Sequence, residues 1–122
     1  MEVKTKCGVF GLFNTKEEPL DIVLDGINKL QHRGRESCGI SYLDNGEIIT
    51  RKTIGIVPDL VKKYDFNKTT KISVAHVRYS TSGSKSSYDV IQPKYSEIKN
   101  FSLVHNGNIP NIEAFKKYFK LD

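Results

Sequence analysis

The chain has 122 residues, of which 38% are hydrophobic and 27% charged, a composition typical of one folded globular domain and not of a disordered chain. The net charge is +5, but the lysines are scattered, which favours a solvated surface over a nucleic-acid-binding one. No apolar run reaches the ~18 residues of a membrane helix, and the N-terminus lacks the apolar core of a signal peptide. We therefore expect a cytoplasmic domain with no membrane partner and, in the absence of a phosphate- or dinucleotide-binding motif, no cofactor.

The first quarter of the chain predicts a strand followed by a helix. Residues 7–13 form a short apolar run punctuated by glycine, as in a buried strand. Pro19 then opens a segment whose apolar residues recur every three or four positions, which puts them on one face of a helix that ends near Arg33-Gly34. The apolar residues of this helix are Leu20, Val23, Leu24, Ile27 and Leu30.

A hairpin and a short helix are predicted next. The runs 39–43 and 47–54 flank Asp44-Asn45-Gly46, and Asn-Gly between two such runs is the strongest short-range hairpin signal. We therefore expect two antiparallel strands here. Residues 58–64 are expected to form a short helix. Its predicted apolar side consists of Leu60, Val61 and Tyr64.

The second half of the chain predicts two strands, an ordered loop and a last helix. Residues 71–77 alternate like a strand and lead into residues 79–92, which are rich in Ser, Gly and Thr and are expected to form a loop or lid. A further strand is expected at 101–104, followed by a helix capped by Asn111. The inward-facing residues of that helix are predicted to be Ile112, Phe115 and Phe119. The order of elements indicates an α+β domain with mostly antiparallel strands.

Polar clusters fall where the predicted elements end, which is where side chains converge on a cleft. The clusters are Cys7-Gly8, His32-Arg33-Gly34-Arg35, His76 to Thr81, and His105-Asn106-Gly107-Asn108. Together they supply a thiol, arginines able to hold a carboxylate, and an Asn-Gly pair able to donate to an oxyanion, as acyl transfer needs. Taken singly, the same residues fit a buried cysteine, surface ion pairs and a hairpin turn. Cys38 is expected to be structural, and the three histidines lack the spacing of a zinc site.

The runs CGVFGLF, LQHRGRESCGI, AHVRYSTSG and LVHNGN, in this order, closely resemble the glutaminase domain of amidophosphoribosyltransferases. These are class II glutamine amidotransferases with the N-terminal nucleophile hydrolase fold, and the second and third runs look more like this branch than like glucosamine-phosphate synthase. The resemblance covers about residues 7–112. It implies the N-terminal part of an αββα sandwich. It also implies a reaction, the hydrolysis of glutamine to glutamate and ammonia through a cysteinyl thioester, that serves purine biosynthesis.

The resemblance also implies roles for individual residues. Cys7 matches the family's nucleophile, whose own α-amino group acts as the base. Asn106 and Gly107 match the oxyanion hole, and Arg78 matches the residue that pairs with the α-carboxylate of glutamine. The substrate-binding positions implied in this way are Arg78, Tyr79, Thr81 and Arg33.

The chain departs from the family pattern at both ends. Six residues precede Cys7, so we expect residues 1–6 to be a leader that is removed and residues 7–122 to be a partial glutaminase domain. Half of a sandwich leaves an apolar face uncovered, which predicts self-association or a second chain, with a phosphoribosyltransferase as one candidate partner. The alternative is a truncated, inactive relative that acts as a binding or regulatory module.

Overall fold

A four-stranded antiparallel sheet with strand order β1–β4–β2–β3 forms the centre of the molecule, and a small two-stranded sheet, β5–β6, accompanies it. The computed structural model describes residues 7–33, 35–78, 88, 90–106 and 112–120, except for the side chains of Arg33, Ile112 and Phe115. The elements are β1 (Gly8–Pro19), α1 (Leu20–Lys29), a 3-10 turn (Gln31–Arg33), β2 (Ser37–Asp44), β3 (Glu47–Ile54), α2 (Val57–Lys63), β4 (Thr69–Arg78), β5 (Lys94–Ser96), β6 (Phe101–Leu103) and α3 (Ile112–Phe119).

Helices α1 and α2 cover one face of the larger sheet and create the core. The three-and-four spacing of α1 turns its apolar residues toward the strands, as predicted, and burial of such side chains is the main stabilising term. Alternate residues of β1, β2 and β4 meet them from the sheet. The buried core consists of Leu20, Val23, Leu24, Ile27, Cys38, Ile40, Tyr42, Val57, Leu60, Phe66, Ala75 and Val77.

Helix α1 approaches the sheet so closely that one of its positions has room only for glycine. A Cβ atom built on Gly26 would lie 2.3 Å from Cε2 of the Phe10 ring. Since carbon atoms in contact normally lie about 3.5–4.0 Å apart, a side chain at this position would displace either the ring or the helix. Gly26 therefore fixes the distance between α1 and β1.

The hairpin between β2 and β3 has the turn that its sequence predicts. Asn45 and Gly46 both have positive φ, at 50° and 82°, and Asp44 pairs with Glu47 across a two-residue loop. Positive φ at both central positions is the property of a type I′ turn, whose twist matches that of the strands. The predicted antiparallel hairpin is confirmed.

The face of the larger sheet opposite the helices is only partly covered. Residues 91–93 cross over it at Gly39, where an added Cβ would lie 2.3 Å from the carbonyl oxygen of Gln92. Hydrophobic side chains elsewhere on this face reach solvent, and Phe13 is 78% exposed. We call it the open face and define it by Val9, Phe13, Ile54 and Ile72.

Several sequence predictions need correction. Strand β1 runs to Pro19 instead of ending at 13, with an irregular register between Phe13 and Glu18. Strand β5 was not predicted. Val61 is 47% exposed because α2 turns Val57 and Leu60 to the core instead.

The prediction for the last helix was also partly wrong. Phe119 is 56% exposed because, among the described residues, α3 has no extensive packing contact with another helix or strand. The proposed cap Asn111 and most of the loop 79–92 lie outside the described residues. No helix in the described part of the chain is long and apolar enough to cross a membrane.

Candidate functional site

Cys7 lies at the start of β1, opposite the end of β4. Gly8 pairs with Val77, so extending the antiparallel ladder by one residue brings Cys7 to the level of Arg78. A Cβ on Gly8 would point at Leu30, at the end of α1, so strand alternation puts Cys7 on the opposite face of the sheet. Cys7, which is half-buried, therefore lies on the face of the sheet that the helices leave uncovered.

Asn106 contacts Cys7 directly, although the two residues are far apart in sequence. Its Nδ2 atom donates a hydrogen bond to the carbonyl oxygen of Cys7 at 3.0 Å. The preceding residue is held as well, because the backbone N–H of His105 donates to Oε1 of Gln92 at 2.7 Å. The segment after β6 is thus tied to the start of β1 and to the segment that crosses Gly39.

Arg78 ends β4 at the same corner of the sheet. It pairs with Ser37 of β2, and its carbonyl oxygen accepts a hydrogen bond from the backbone N–H of Glu36 at 2.9 Å. The Nε atom of Arg78 lies 4.0 Å from Oε2 of Glu36, and about a third of the Arg78 side chain is exposed. Arg78 is therefore fixed at the sheet through its backbone, and part of its side chain is accessible to a ligand.

His76 lies beneath this corner, one position along the same face from Arg78. It pairs with Val9 on one side and Gly39 on the other and is fully buried. Burial lowers the pKa of His76 to about 4; the backbone of His105 opposes this shift, and the charges of His105 and Arg78 add to it. His76 is therefore a neutral imidazole at neutral pH.

Cys38 lies on the opposite face of the sheet from Cys7 and is more deeply buried. It is 1% exposed on the helix side of the sheet, and burial, together with the charge of Asp59, raises the pKa of its thiol to about 12. The two cysteines are not joined in a disulfide. The structure confirms that Cys38 is a buried packing residue and leaves Cys7 as the candidate nucleophile.

The structure thus brings together three of the residues predicted for the site, namely Cys7, Asn106 and Arg78. Gly107, Tyr79 and Thr81 lie outside the described residues, and for Arg33 only the backbone of the 3-10 turn is described. That turn is fastened to α2, because the backbone N–H of Val57 donates to Oε1 of Gln31 at 2.7 Å. The turn therefore has a fixed place at the end of α1.

Sequence reasoning missed two residues of this corner. Gln92 supports His105, and Glu36 faces Arg78. Of these two residues, only Glu36 could have been found from sequence, because a carboxylate immediately before a buried strand is a candidate site residue. Within the described ranges, no group of three His, Cys, Asp or Glu side chains could hold a metal ion.

Comparison with known proteins identifies relatives of two kinds. No protein-family model matches the chain. Glutamine–fructose-6-phosphate aminotransferase of Bacillus cereus (strain ATCC 10987) is 34% identical over 95% of this chain and 19% of its own length. Amidophosphoribosyltransferase of Bacillus subtilis is also 34% identical, over 92% of this chain and 24% of its own length. The chain therefore spans about a fifth to a quarter of these relatives.

Solved structures agree with the sequence relatives. The glutamine phosphoribosylpyrophosphate amidotransferase of Bacillus subtilis, complexed with ADP and GMP, superposes with a TM-score of 0.73 at 31% identity over 92% of this chain and 24% of that one. A structure of the allosteric regulatory enzyme of purine biosynthesis gives 0.76 at 32% identity, with the same coverage. By sequence and by fold, this chain is therefore similar to the glutaminase domain of class II glutamine amidotransferases.

Proposed function

We propose that this chain carries the nucleophile of a glutaminase that hydrolyses glutamine to glutamate and ammonia. The observation that carries the proposal is the 3.0 Å hydrogen bond from Nδ2 of Asn106 to the carbonyl oxygen of Cys7. Because of this hydrogen bond, an amide donor lies beside Cys7, the less buried of the two cysteines. Acyl transfer through a cysteine requires this combination, since the tetrahedral intermediate carries a negative oxygen.

The chemistry follows from these two residues. The Sγ atom of Cys7 attacks the side-chain amide carbon of glutamine, and the amide oxygen becomes an oxyanion. The Asn106 amide has two N–H donors, of which one is used on Cys7, so the other can donate to this oxyanion together with the backbone N–H of Gly107. The proton of the Cys7 thiol passes through the base to the amide nitrogen, and collapse of the intermediate then breaks the C–N bond and releases ammonia. This leaves a thioester, which water hydrolyses to glutamate and the free thiol.

The base in this proposal is the α-amino group of Cys7. An α-amine has a pKa of about 7.7–8.0, which suits proton transfer near neutral pH. In the sequence this nitrogen is in a peptide bond with Lys6. The proposal therefore includes removal of residues 1–6, which exposes the amine, and treats residues 7–122 as the glutaminase part.

Arg78 is the proposed ligand of the substrate α-carboxylate. Its guanidinium group ends a strand beside Cys7, and a planar fork of donors fits a carboxylate with two parallel hydrogen bonds. Tyr79, Thr81 and Arg33 are proposed to complete the glutamine site. Their positions in the sequence, directly after Arg78 and in the turn after α1, support this assignment.

A further polypeptide is proposed to cover the open face. Phe13 and Ile72, which pair with each other, are 78% and 43% exposed, and Leu103 on the neighbouring small sheet is 52% exposed. Ile72 also lines a cavity of about 170 Å³ with a mainly apolar lining, which includes Leu43 and Ile48. Several exposed apolar side chains on one side of a sheet are typical of an interaction site. The occupant is a second copy or another chain, such as a phosphoribosyltransferase.

Purine biosynthesis in the cytoplasm is the proposed setting. Both relatives described above are 34% identical to this chain, so identity does not separate the two branches of the family. The runs LQHRGRESCGI and AHVRYSTSG support the amidophosphoribosyltransferase branch, and the structural neighbours are enzymes of that kind.

The test is the production of glutamate and ammonia from glutamine by the processed chain and two variants. Cys7→Ala should abolish the reaction, because no thioester can form. Arg78→Ala should raise the KM for glutamine by about ten- to a hundredfold, the value of a charge-assisted hydrogen bond, with a smaller effect on kcat. Asp44→Asn, at the opposite end of β2, is the matched control and should leave both constants unchanged. Activity that survives Cys7→Ala would refute the mechanism.

A further inference from the structure

The buried polar atoms that lack a hydrogen-bond partner are concentrated in one place. Across the described ranges they belong to four residues, Glu36 (Oε2), Ser37 (Oγ), His76 (both ring nitrogens) and Arg78 (Nε). Ser37 pairs with Arg78, and Gly39 with His76, so all four lie at the corner where β2 begins and β4 ends. Unsatisfied buried polar groups cost free energy, and such a cluster beside Cys7 points to a site that exists for function.

The backbone of Glu36 is fixed on two sides. Its N–H donates to the carbonyl oxygen of Arg78 at 2.9 Å, and its own carbonyl oxygen accepts from the N–H of Gly55 at 2.8 Å. Gly55 has a φ of 116°, which glycine adopts readily, and a Cβ there would lie 2.4 Å from Oδ2 of Asp59. Glu36 is thus held between the end of β3 and the end of β4, and its side chain starts from a defined position.

The Glu36 carboxylate faces one particular side of the Arg78 guanidinium. Oε2 lies 4.0 Å from Nε, and both atoms are inaccessible to solvent. This separation is too long for a hydrogen bond but within the range of charge attraction between the two groups. A carboxylate on the Nε side leaves the terminal nitrogens of the guanidinium for another partner, and about a third of the Arg78 side chain is exposed to receive one.

We propose that Glu36 is a positioning residue that orients Arg78 for the α-carboxylate of glutamine. This role rests on the proposed function, and it deepens it by naming what aims the guanidinium. The Oε2 atom of Glu36 is buried and lies toward Arg78, so this oxygen acts on the guanidinium group and not on the ligand. It restrains the rotation of the guanidinium, so that the fork of donors is preorganised when glutamine enters.

Glu36→Gln tests the role, since it removes the charge and keeps the shape. The matched control is Asp44→Asn, which removes a carboxylate at the far end of β2, where Asp44 pairs with Lys68 at 3.4 Å on the surface. The first measurement is the Arg78 Nε–H resonance in NMR spectra of the ¹⁵N-labelled full chain, identified by its loss in Arg78→Lys. It should shift, and its hydrogen should exchange faster, in Glu36→Gln and not in Asp44→Asn. An unchanged resonance in Glu36→Gln would overturn the proposal.

The second measurement is the affinity for L-glutamine, followed by chemical-shift titration of the same samples. Glu36→Gln should weaken binding by about tenfold, and Asp44→Asn by less than about twofold, because only Glu36 orients the carboxylate ligand. Equal affinity of Glu36→Gln and the unsubstituted chain would refute the positioning role alone. If the unsubstituted chain binds no glutamine at all, the proposed function fails and the role of Glu36 fails with it.

Discussion

Acidification is expected to destabilise the fold through His76. The folded state holds this imidazole neutral, with a pKa lowered from 6.5 to about 4, mainly because the ring is buried. The unfolded chain therefore binds a proton that the folded chain does not between these two values. The contribution of His76 to the free energy of unfolding is therefore fully present above pH 6.5 and is lost as the pH falls toward 4.

The size of the effect follows from the shift. Since one pKa unit corresponds to 1.36 kcal/mol, the difference between 6.5 and about 4 means that protonation of His76 can lower the free energy of unfolding by at most about 3 kcal/mol. At pH 5 about 2 kcal/mol of that would already be lost. This is a large part of the ~5–15 kcal/mol that stabilises an ordinary domain.

Urea unfolding at pH 7.5 and pH 5 measures this loss. The loss should be smaller by about 2 kcal/mol in His76→Gln, which cannot titrate. His32→Gln is the matched control, because His32 is exposed, and it should behave like the unsubstituted chain. If His76→Gln does not fold, the ring C–H resonances of His76 can be titrated directly in the unsubstituted chain. An imidazole that titrates near pH 6.5 in the folded state would refute the reasoning.

Three further predictions concern packing and reactivity. Gly26→Ala should destabilise the fold by about 1–2 kcal/mol in denaturant unfolding, because overlap with Phe10 outweighs the gain in helix propensity. Gly11→Ala is the control and should not destabilise the fold, because Gly11 has open space around it. A stabilised Gly26→Ala variant would contradict the close approach of α1 to β1. At pH 8, Cys38 should react with an alkylating agent about a thousandfold more slowly in the folded chain than in urea, because burial keeps its thiol protonated. Peptide mass mapping measures both rates, and labelling of the folded chain at the rate seen in urea would contradict this prediction. The open face should bind an apolar dye and drive association in sedimentation experiments, while a monodisperse monomer without dye binding would argue against a partner there.

The features that the sequence predicts well depend on near neighbours. The spacing of apolar residues predicted the buried side of α1, and Asn45-Gly46 predicted both the hairpin and its turn. In both cases the deciding interactions lie within a few residues of one another. Local patterns are therefore sufficient for these elements.

The features that escaped prediction depend on distant contacts. Strand β5 has three residues with no strong strand pattern and exists through its pairing with β6. Phe119 fits the apolar side of an amphipathic helix, yet it is 56% exposed, and its burial would depend on tertiary contacts that the spacing cannot show. Gln92 and Glu36 act on His105 and Arg78, and only the folded arrangement shows these pairs.

The candidate site shows the same division. The four sequence runs contain the residue types and their order, which is why Cys7, Asn106 and Arg78 are predicted as site residues from sequence. Their meeting at one corner depends on β1 and β2 both pairing with β4, which no single run encodes. Gly107, Tyr79 and Thr81 stay predictions.

The corner formed by Cys7, Asn106 and Arg78 is proposed to be a glutamine site with Cys7 as its nucleophile. Intact-mass measurement after incubation with an electrophilic diazoketone analogue of glutamine tests it most directly. We expect a species that lacks residues 1–6 and carries one label on Cys7, with labelling lost in Cys7→Ala and slowed by added glutamine. A chain that keeps residues 1–6 and stays unlabelled, or a label on any other residue, would contradict it.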